Sequence, residues 1–491
     1  MKRRTFLKQA LGATAAAVAL PGASLLGAAE TAGRKVRKFE FVTSIERVSA
    51  GAGPSYKSMT YNGLTPGPLI RATEGDIIRV ALKNKLPEDT TIHWHGVLVP
   101  NAMDGVPVHT QDTVQPGGSF IYEFEAKPAG TYWYHSHGGM YQYDQGLSGP
   151  LIIDPKREER SYDQEAILAL DDLVLRDGGG MAQSVARRPP MGMGMGGMAA
   201  SNAAAFMAMS AAGAGSGMGG TVPLLEPVYD AHGVNGKVGP AIAPIVVNKG
   251  DRIRLRFINM GGSTYYYMQL AGHPMLITHS DGRPVQPIYT DILRIGMGER
   301  YDVEILANNP GRWVLGAREG GFGESRLRIP FVYQGIQDRG LMEPDFQPGR
   351  RMVRVVDMQA PYNLGPAPGP VHRFYPQFLS GGMHGSPYWT LNGLMYPNSE
   401  KLTAKLGERV RFGYRNHSMM PHPMHLHGHF FKVVNPALPP ERWIMKDTVI
   451  VDAMQYMEIE YVADAPGEWV HHCHNLYHMM AGMMNVAIDV A

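Results

Sequence analysis

Apolar and polar residues alternate along this 491-residue chain in one recurring form. Residues 74–84 open on a Gly75-Asp76 turn, then place Ile78, Val80 and Leu82 on one side and Arg79, Ala81 and Lys83 on the other. Period-two patterning is the mark of a strand with one buried face. The pattern returns after Lys249-Gly250-Asp251, running to Asn259, and again after Leu406-Gly407-Glu408, running to Asn416. A second landmark also occurs three times, as Gly130-Thr131-Tyr132-Trp133, Gly311-Arg312-Trp313 and Gly467-Glu468-Trp469. Self-similarity of this kind means duplicated units, and the length accommodates about three domains of roughly 150 residues. The chain is therefore expected to be all-β: three consecutive β-sandwiches, with antiparallel pairing favoured by the turn density. The expected domains are residues 36–156, 160–336 and 350–491.

Two stretches stand outside the pattern. Lys2-Arg3-Arg4-Thr5-Phe6-Leu7-Lys8 precedes an Ala-rich apolar run ending near Gly27-Ala28-Ala29. Paired arginines before Phe-Leu-Lys resemble a twin-arginine signal, so residues 1–30 are expected to direct export to the periplasm and then to be removed. The apolar run is short and weak for a membrane span, and no membrane attachment is expected after its removal. Residues 178–220 are low-complexity Gly, Ala, Ser and Met, including Met191, Met193, Met195, Met198, Met207, Met209 and Met218. Such composition cannot bury a core. It reads as an insertion within the second domain.

Histidine placement within the repeat supplies the chemistry. Nine residues past each closing Asn stand His93, Met268 and His425, and two further on His95, Leu270 and His427. Five and seven residues past the landmark glycines stand His135 and His137 in the first copy, Gly316 and Arg318 in the second, His472 and His474 in the third. Alternate residues of a strand share a face, so each His-x-His pair can offer two imidazoles to one cavity. The first and third copies carry matching pairs and the second carries none. A metal site between domains 1 and 3 is expected, with domain 2 as a spacer. The only cysteine, Cys473, lies between His472 and His474 and is followed by His478 and Met483. Thiolate, imidazole and thioether form the ligand set of a blue-copper site. A net charge of +2 gives no reason to expect nucleic acid or an anionic membrane as partner. One cysteine excludes an intramolecular disulfide.

The chain resembles the multicopper oxidases, in particular the three-domain bacterial group of laccases and cuprous oxidases. The motifs are His93-Trp94-His95-Gly96, Trp133-Tyr134-His135-Ser136-His137, His422-Pro423-Met424-His425-Leu426-His427 and the run from His472 to Met483. The resemblance implies cupredoxin-like Greek-key sandwiches and four copper ions. It implies a type 1 copper on His422, Cys473, His478 and Met483, and a type 2 copper on His93 and His425. One type 3 copper would take His95, His135 and His474, the other His137, His427 and His472. It further implies that electrons enter singly at the type 1 site and pass from Cys473 through His472 and His474 to a cluster that reduces O2 to water.

Asp104 resembles the acid that serves proton delivery in this family, although an Asp before Gly105 can equally start a turn. Some bacterial relatives place a Glu directly after the second type 1 histidine; here that position is Met479. His417, His429 and His471 do not fit the positional repeat and are read as surface or supporting residues. His273 matches His429 in position, which points to a role in the fold. Thioethers prefer Cu(I), so the methionine-rich insertion favours Cu(I) as reducing substrate, with phenols or aromatic amines as the laccase alternative. A non-enzymatic copper-binding or scaffold protein is the remaining reading, and such scaffolds would be expected to lack the ligands present here. A monomer is expected.

Overall fold

The protein is described here by a computed structural model covering residues 34–139, 141–177, 229–319, 327–336, 340–382 and 388–490. The expected signal (1–30) and the methionine-rich insertion (178–220) lie outside the described residues. Among the described residues there are six sheets, two per domain, and one α-helix, Leu476–Met480. No described helix is long and apolar enough to cross a membrane.

The repeated alternating segments are the central strands Ile77–Asn84, Arg252–Asn259 and Arg409–Asn416. Each pairs antiparallel on one side, with Ser119–Glu125, Arg300–Leu306 and Tyr456–Val462. On its other side each pairs in parallel with the first strand of its domain: Val36–Val48, Gln164–Leu173 and Arg373–Gly381. The landmark glycines open Gly130–His135 and Gly467–Cys473 and directly precede Arg312–Glu319, the middle strands of the second sheets. A short edge strand again runs parallel to the last strand of each domain. The sheets are thus mixed rather than antiparallel. Alternation reports which face is buried, not strand direction, and Greek-key connections bring the fourth strand of each domain back beside the first.

The closing asparagine of each central strand explains why the spacing to the site strand is constant. Asn84, Asn259 and Asn416 are buried, and each side-chain oxygen accepts the N–H two residues on, from Leu86, Gly261 and Ser418. Each amide donates to a later carbonyl, of Val114, Thr264 and Met420. This Asx-type turn pins the connection that delivers His93–His95, Tyr266–Leu270 and His422–Leu426. The first domain has its own core around Trp94, Tyr122 and Tyr134. A second core runs without a break through the middle and last sandwiches and includes Met424, Cys473 and Met483.

Candidate metal centre

Strand register decides where each side chain points. His422–Leu426 pairs antiparallel with Gly467–Cys473, with Met424 opposite Cys473 and His425 opposite His472. Residues directly opposite share a face. Met424 and Cys473 therefore enter the core of the last sandwich, while His425 and His472 leave it towards the first domain. There His93 lies opposite His135 on its own strand pair. The eight histidines of the four His-x-His pairs are all buried and meet in one cluster between the first and last sandwiches. His93 stacks on His427 with ring centroids 3.7 Å apart, and His95 on His425 at 3.9 Å.

Within the cluster the ring nitrogens of His95, His135 and His474 lie within 4.8 Å of one another, as do those of His137, His427 and His472, and those of His93, His95 and His425. A separate group forms where Cys473 faces inward. Its Sγ lies 3.6 Å from Nδ1 of His422 and 3.7 Å from Nδ1 of His478, and those two nitrogens are 3.1 Å apart. Met483 is buried in the same core, and its carbonyl accepts the Cys473 N–H at 3.1 Å. Asn475 caps the helix Leu476–Met480, accepting from the N–H groups of Tyr477 and His478, which sets the His478 ring beside the thiol.

Several imidazoles use one nitrogen to anchor the ring. Nδ1 of His93 donates to the Asp104 carbonyl at 2.9 Å, Nδ1 of His135 to the Ser136 carbonyl at 3.0 Å, and Nδ1 of His425 to the Asp447 carbonyl at 2.8 Å. The opposite nitrogens are left buried with no hydrogen-bond partner: Nε2 of His93, His135, His137 and His425, Nδ1 of His95, and both nitrogens of His474. Nε2 of His427 and Nε2 of His472 face each other at 3.1 Å. Buried polar atoms are rarely left unmatched, and convergent unmatched imidazole nitrogens fit a bound transition metal. Burial, and then the charges of neighbouring histidines, hold His95, His425, His427 and His474 well below the ordinary imidazole range. Burial alone brings His422 down to about 3. All are neutral near pH 7, the form that binds metal.

Multicopper oxidase family models match residues 43–158, 202–330 and 372–490. The chain is 37% identical to the multicopper oxidase MmcO of Mycobacterium tuberculosis, over 89% of this chain and 84% of the relative. The chain belongs to the multicopper oxidase family. It is also 28% identical to a copper resistance protein A homolog of Pseudomonas syringae pv. tomato, over 88% of this chain and 89% of the relative. Among solved structures it resembles a multi-copper oxidase from Pseudomonas thermotolerans, with TM-score 0.70 and 25% identity over 94% of this chain and all of that one. The fold also matches Fet3p, a multicopper oxidase that functions in iron import, with TM-score 0.75 at 22% identity over 93% and 90% of the two chains.

In this multicopper oxidase Asp104 is 1% exposed. Its Oδ2 accepts from Nδ1 of His427 at 2.9 Å, and its Oδ1 lies 3.2 Å from Nδ1 of His93. The following Gly105 has φ +81°, and a Cβ there would sit 1.9 Å from the Ile92 carbonyl oxygen. The turn at Asp104 and its contact with the cluster are therefore one feature. Behind His474 and His135 lies Trp133, with centroids 5.4 and 4.5 Å away, a contact that the landmark repeat did not reveal.

Residues without any repeat signal complete the oxidase's site. Trp389 stacks on His478 at 3.8 Å and meets His422 edge-on at 5.1 Å. Ser418 Oγ lies 2.8 Å from Nε2 of His422. The middle domain is more than a spacer: a Cβ on Gly298 would meet the rings of His474 and His95 at 2.9 to 3.0 Å. His471 and His429 are buried, not superficial. His471 bridges Tyr414 and Asn485, while His429 binds the His427 carbonyl and Asp489. His273 repeats the His429 arrangement with the Ala271 carbonyl, each histidine lying edge-on to its landmark tryptophan. His417 is exposed against Phe378.

Next to His478, the Tyr477 hydroxyl donates to Asp144 at 2.7 Å, and Tyr229 donates to the same carboxyl at 3.0 Å. Burial, then the charge of Asp172, pushes Asp144 up to about 7. The folded chain therefore keeps a proton that the unfolded chain has released, and stability falls as pH rises from about 4 to about 7. Asp144→Asn should flatten that slope and make the copper-free protein more stable than wild type at pH 8, by at most about 4 kcal/mol. Denaturant melts at pH 5 and pH 8 measure both effects.

Proposed function

We propose that the protein couples one-electron oxidation of a reducing substrate, Cu(I) foremost, to four-electron reduction of O2 to water, in copper tolerance. His422, Cys473, His478 and Met483 would hold a type 1 copper. His93 and His425 would hold a type 2 copper, with type 3 coppers on His95, His135 and His474 and on His137, His427 and His472. Bound copper supplies one-electron redox capacity at each position, enough in total to reduce O2 fully. The observation that carries this reading is the strand Gly467–Cys473 with its continuation. Cys473 faces the thiolate group and its neighbours His472 and His474 face the imidazole cluster, so the two sites are carried by residues joined through a single peptide bond.

The remaining residues act on geometry and protons. Asp104 holds His427 and His93 and offers a carboxyl oxygen at the cluster for proton delivery. Trp389 covers both type 1 histidines, which are at most 1% exposed. That cover disfavours direct contact with a bulky phenol and suits a small ion. The methionine-rich residues 178–220 supply soft ligands for Cu(I), and relatives named copper resistance protein A agree with a copper role. The twin-arginine segment would place the enzyme in the periplasm.

Oxygen uptake by copper-loaded protein, with Cu(I) and with a simple phenol under matched conditions, tests the substrate. Faster uptake with Cu(I), with KM for Cu(I) raised on deleting residues 191–218, is expected. Equal or faster uptake with the phenol, indifferent to that deletion, would instead make the enzyme a laccase.

A further inference from the structure

Arg300 opens the strand Arg300–Leu306 of the middle domain, the domain that carries no histidine pair. It is fully buried and reaches all three domains. Its Nε donates to the Thr131 carbonyl of the first at 3.1 Å, and its Nη1 to the Gly298 carbonyl of its own. Nη1 and Nη2 donate in a fork to Oδ1 and Oδ2 of Asp447 in the last, at 2.7 and 2.6 Å. Bidentate guanidinium–carboxylate pairs fix orientation as well as charge. Asp281 fixes the same segment from the other side: its Oδ1 accepts the Arg300 N–H, and its Oδ2 accepts the N–H groups of Asp447 and Thr448.

What this frame holds is two imidazoles. Asp447 Oδ1 lies 3.2 Å from Nε2 of His95 and accepts the Thr448 hydroxyl at 2.8 Å. With its proton committed to Asp447, the Thr448 oxygen can only accept. It lies 3.0 Å from Nε2 of His95 and 3.1 Å from Nδ1 of His425, whose other acceptor is the Asp447 carbonyl. Every group facing those two nitrogens is therefore an acceptor, so both nitrogens must carry hydrogen. The nitrogens left without hydrogen, Nδ1 of His95 and Nε2 of His425, are two of the buried atoms without a partner. His95 thus presents the opposite nitrogen from His93, His135 and His425.

We propose that Arg300 and Asp447, with Thr448, form a positioning clamp that fixes the tautomers of His95 and His425, each then offering one defined nitrogen to the copper cluster. The clamp also accounts for Gly96 in the His93-Trp94-His95-Gly96 motif. At φ +79° its missing Cβ leaves room for the ion pair, since a Cβ would meet Arg300 Nη2 at 2.3 Å and Asp447 Oδ2 at 2.5 Å. The middle domain, which gives no ligand, thereby sets the ligand geometry of the other two. The functional part of the inference rests on the copper reading of the cluster; the tautomers themselves do not.

The test compares wild type with Asp447→Asn and Arg300→Lys. In copper-free protein labelled with 15N-histidine, His95 should show hydrogen on Nε2 and His425 hydrogen on Nδ1. The variants should show mixed tautomers at His95. After copper loading they should retain cluster copper about tenfold or more weakly against a chelator, as outer partners of metal-bound histidines typically do. Their type 2 electron paramagnetic resonance signal should change while the blue type 1 band stays as in wild type. Hydrogen on Nδ1 of His95 in the wild-type protein overturns the clamp with no variant needed. Wild-type tautomers and cluster copper in both variants overturn it as well. A wild-type protein that turns blue but gives no type 2 signal would instead overturn the copper assignment of the cluster, and the copper-free tautomers then judge the clamp alone.

Discussion

Cys473→Ser is expected to abolish the blue absorption and all oxygen-coupled substrate oxidation while leaving a folded protein. Serine matches cysteine in shape, but its hydroxyl stays protonated near pH 7 and is a harder donor than a thiolate. The position is fully buried in an apolar core. Placing a hydroxyl there costs about 1–3 kcal/mol, a loss that a long chain with two large cores tolerates. The eight-histidine cluster faces the other side of the strand and should still take up copper, giving a type 2 resonance signal without the blue band. Oxygen uptake together with that spectrum checks the prediction. Sustained turnover in the variant would refute passage of electrons through Cys473.

Asp104→Asn should separate the two halves of the reaction. The carboxylate accepts from Nδ1 of His427 and faces Nδ1 of His93. A carboxamide keeps one acceptor, but its NH2 turns a donor towards a donor and cannot carry a proton to the cluster. Reduction of the blue centre by substrate under anaerobic conditions should proceed as in wild type, since Asp104 does not contact the His422, Cys473 and His478 group. Reoxidation by O2 should slow by about 10²–10⁴-fold, the usual range for a lost acid–base group. Stopped-flow reoxidation measures it directly, and an unchanged rate would reduce Asp104 to a turn residue.

The sequence exposed the histidines and Cys473 because they sit at fixed offsets from a threefold repeat, and two filled copies beside one empty copy make the pattern visible. The asparagine turns explain why those offsets hold. Strand direction was not legible, because alternation records burial alone. Arg300, Asp447 and Trp389 were not legible either. They belong to no repeat, and their meaning lies in contacts separated by 147 residues in one case. The absence of His-x-His pairs from domain 2 made it look passive, whereas its contribution is made through a guanidinium and a glycine. For His471 the sequence left surface and supporting roles open for a similar reason: the partner that decides between them, Tyr414, lies 57 residues away.

The pairing of Met424 with Cys473 and of His425 with His472 also limits how this gene can vary. A sheet with period two has only two phases, and slipping by one residue exchanges its faces. One inserted or deleted residue between Gly467 and His474 would send the thiol into the imidazole cluster and a histidine into the apolar core, whatever the residue's identity. Point changes on this strand are graded by chemistry, but changes of length are all-or-none. Library variants of this enzyme should therefore tolerate substitution at the partly exposed Glu468 far better than a single-residue indel anywhere in the same stretch.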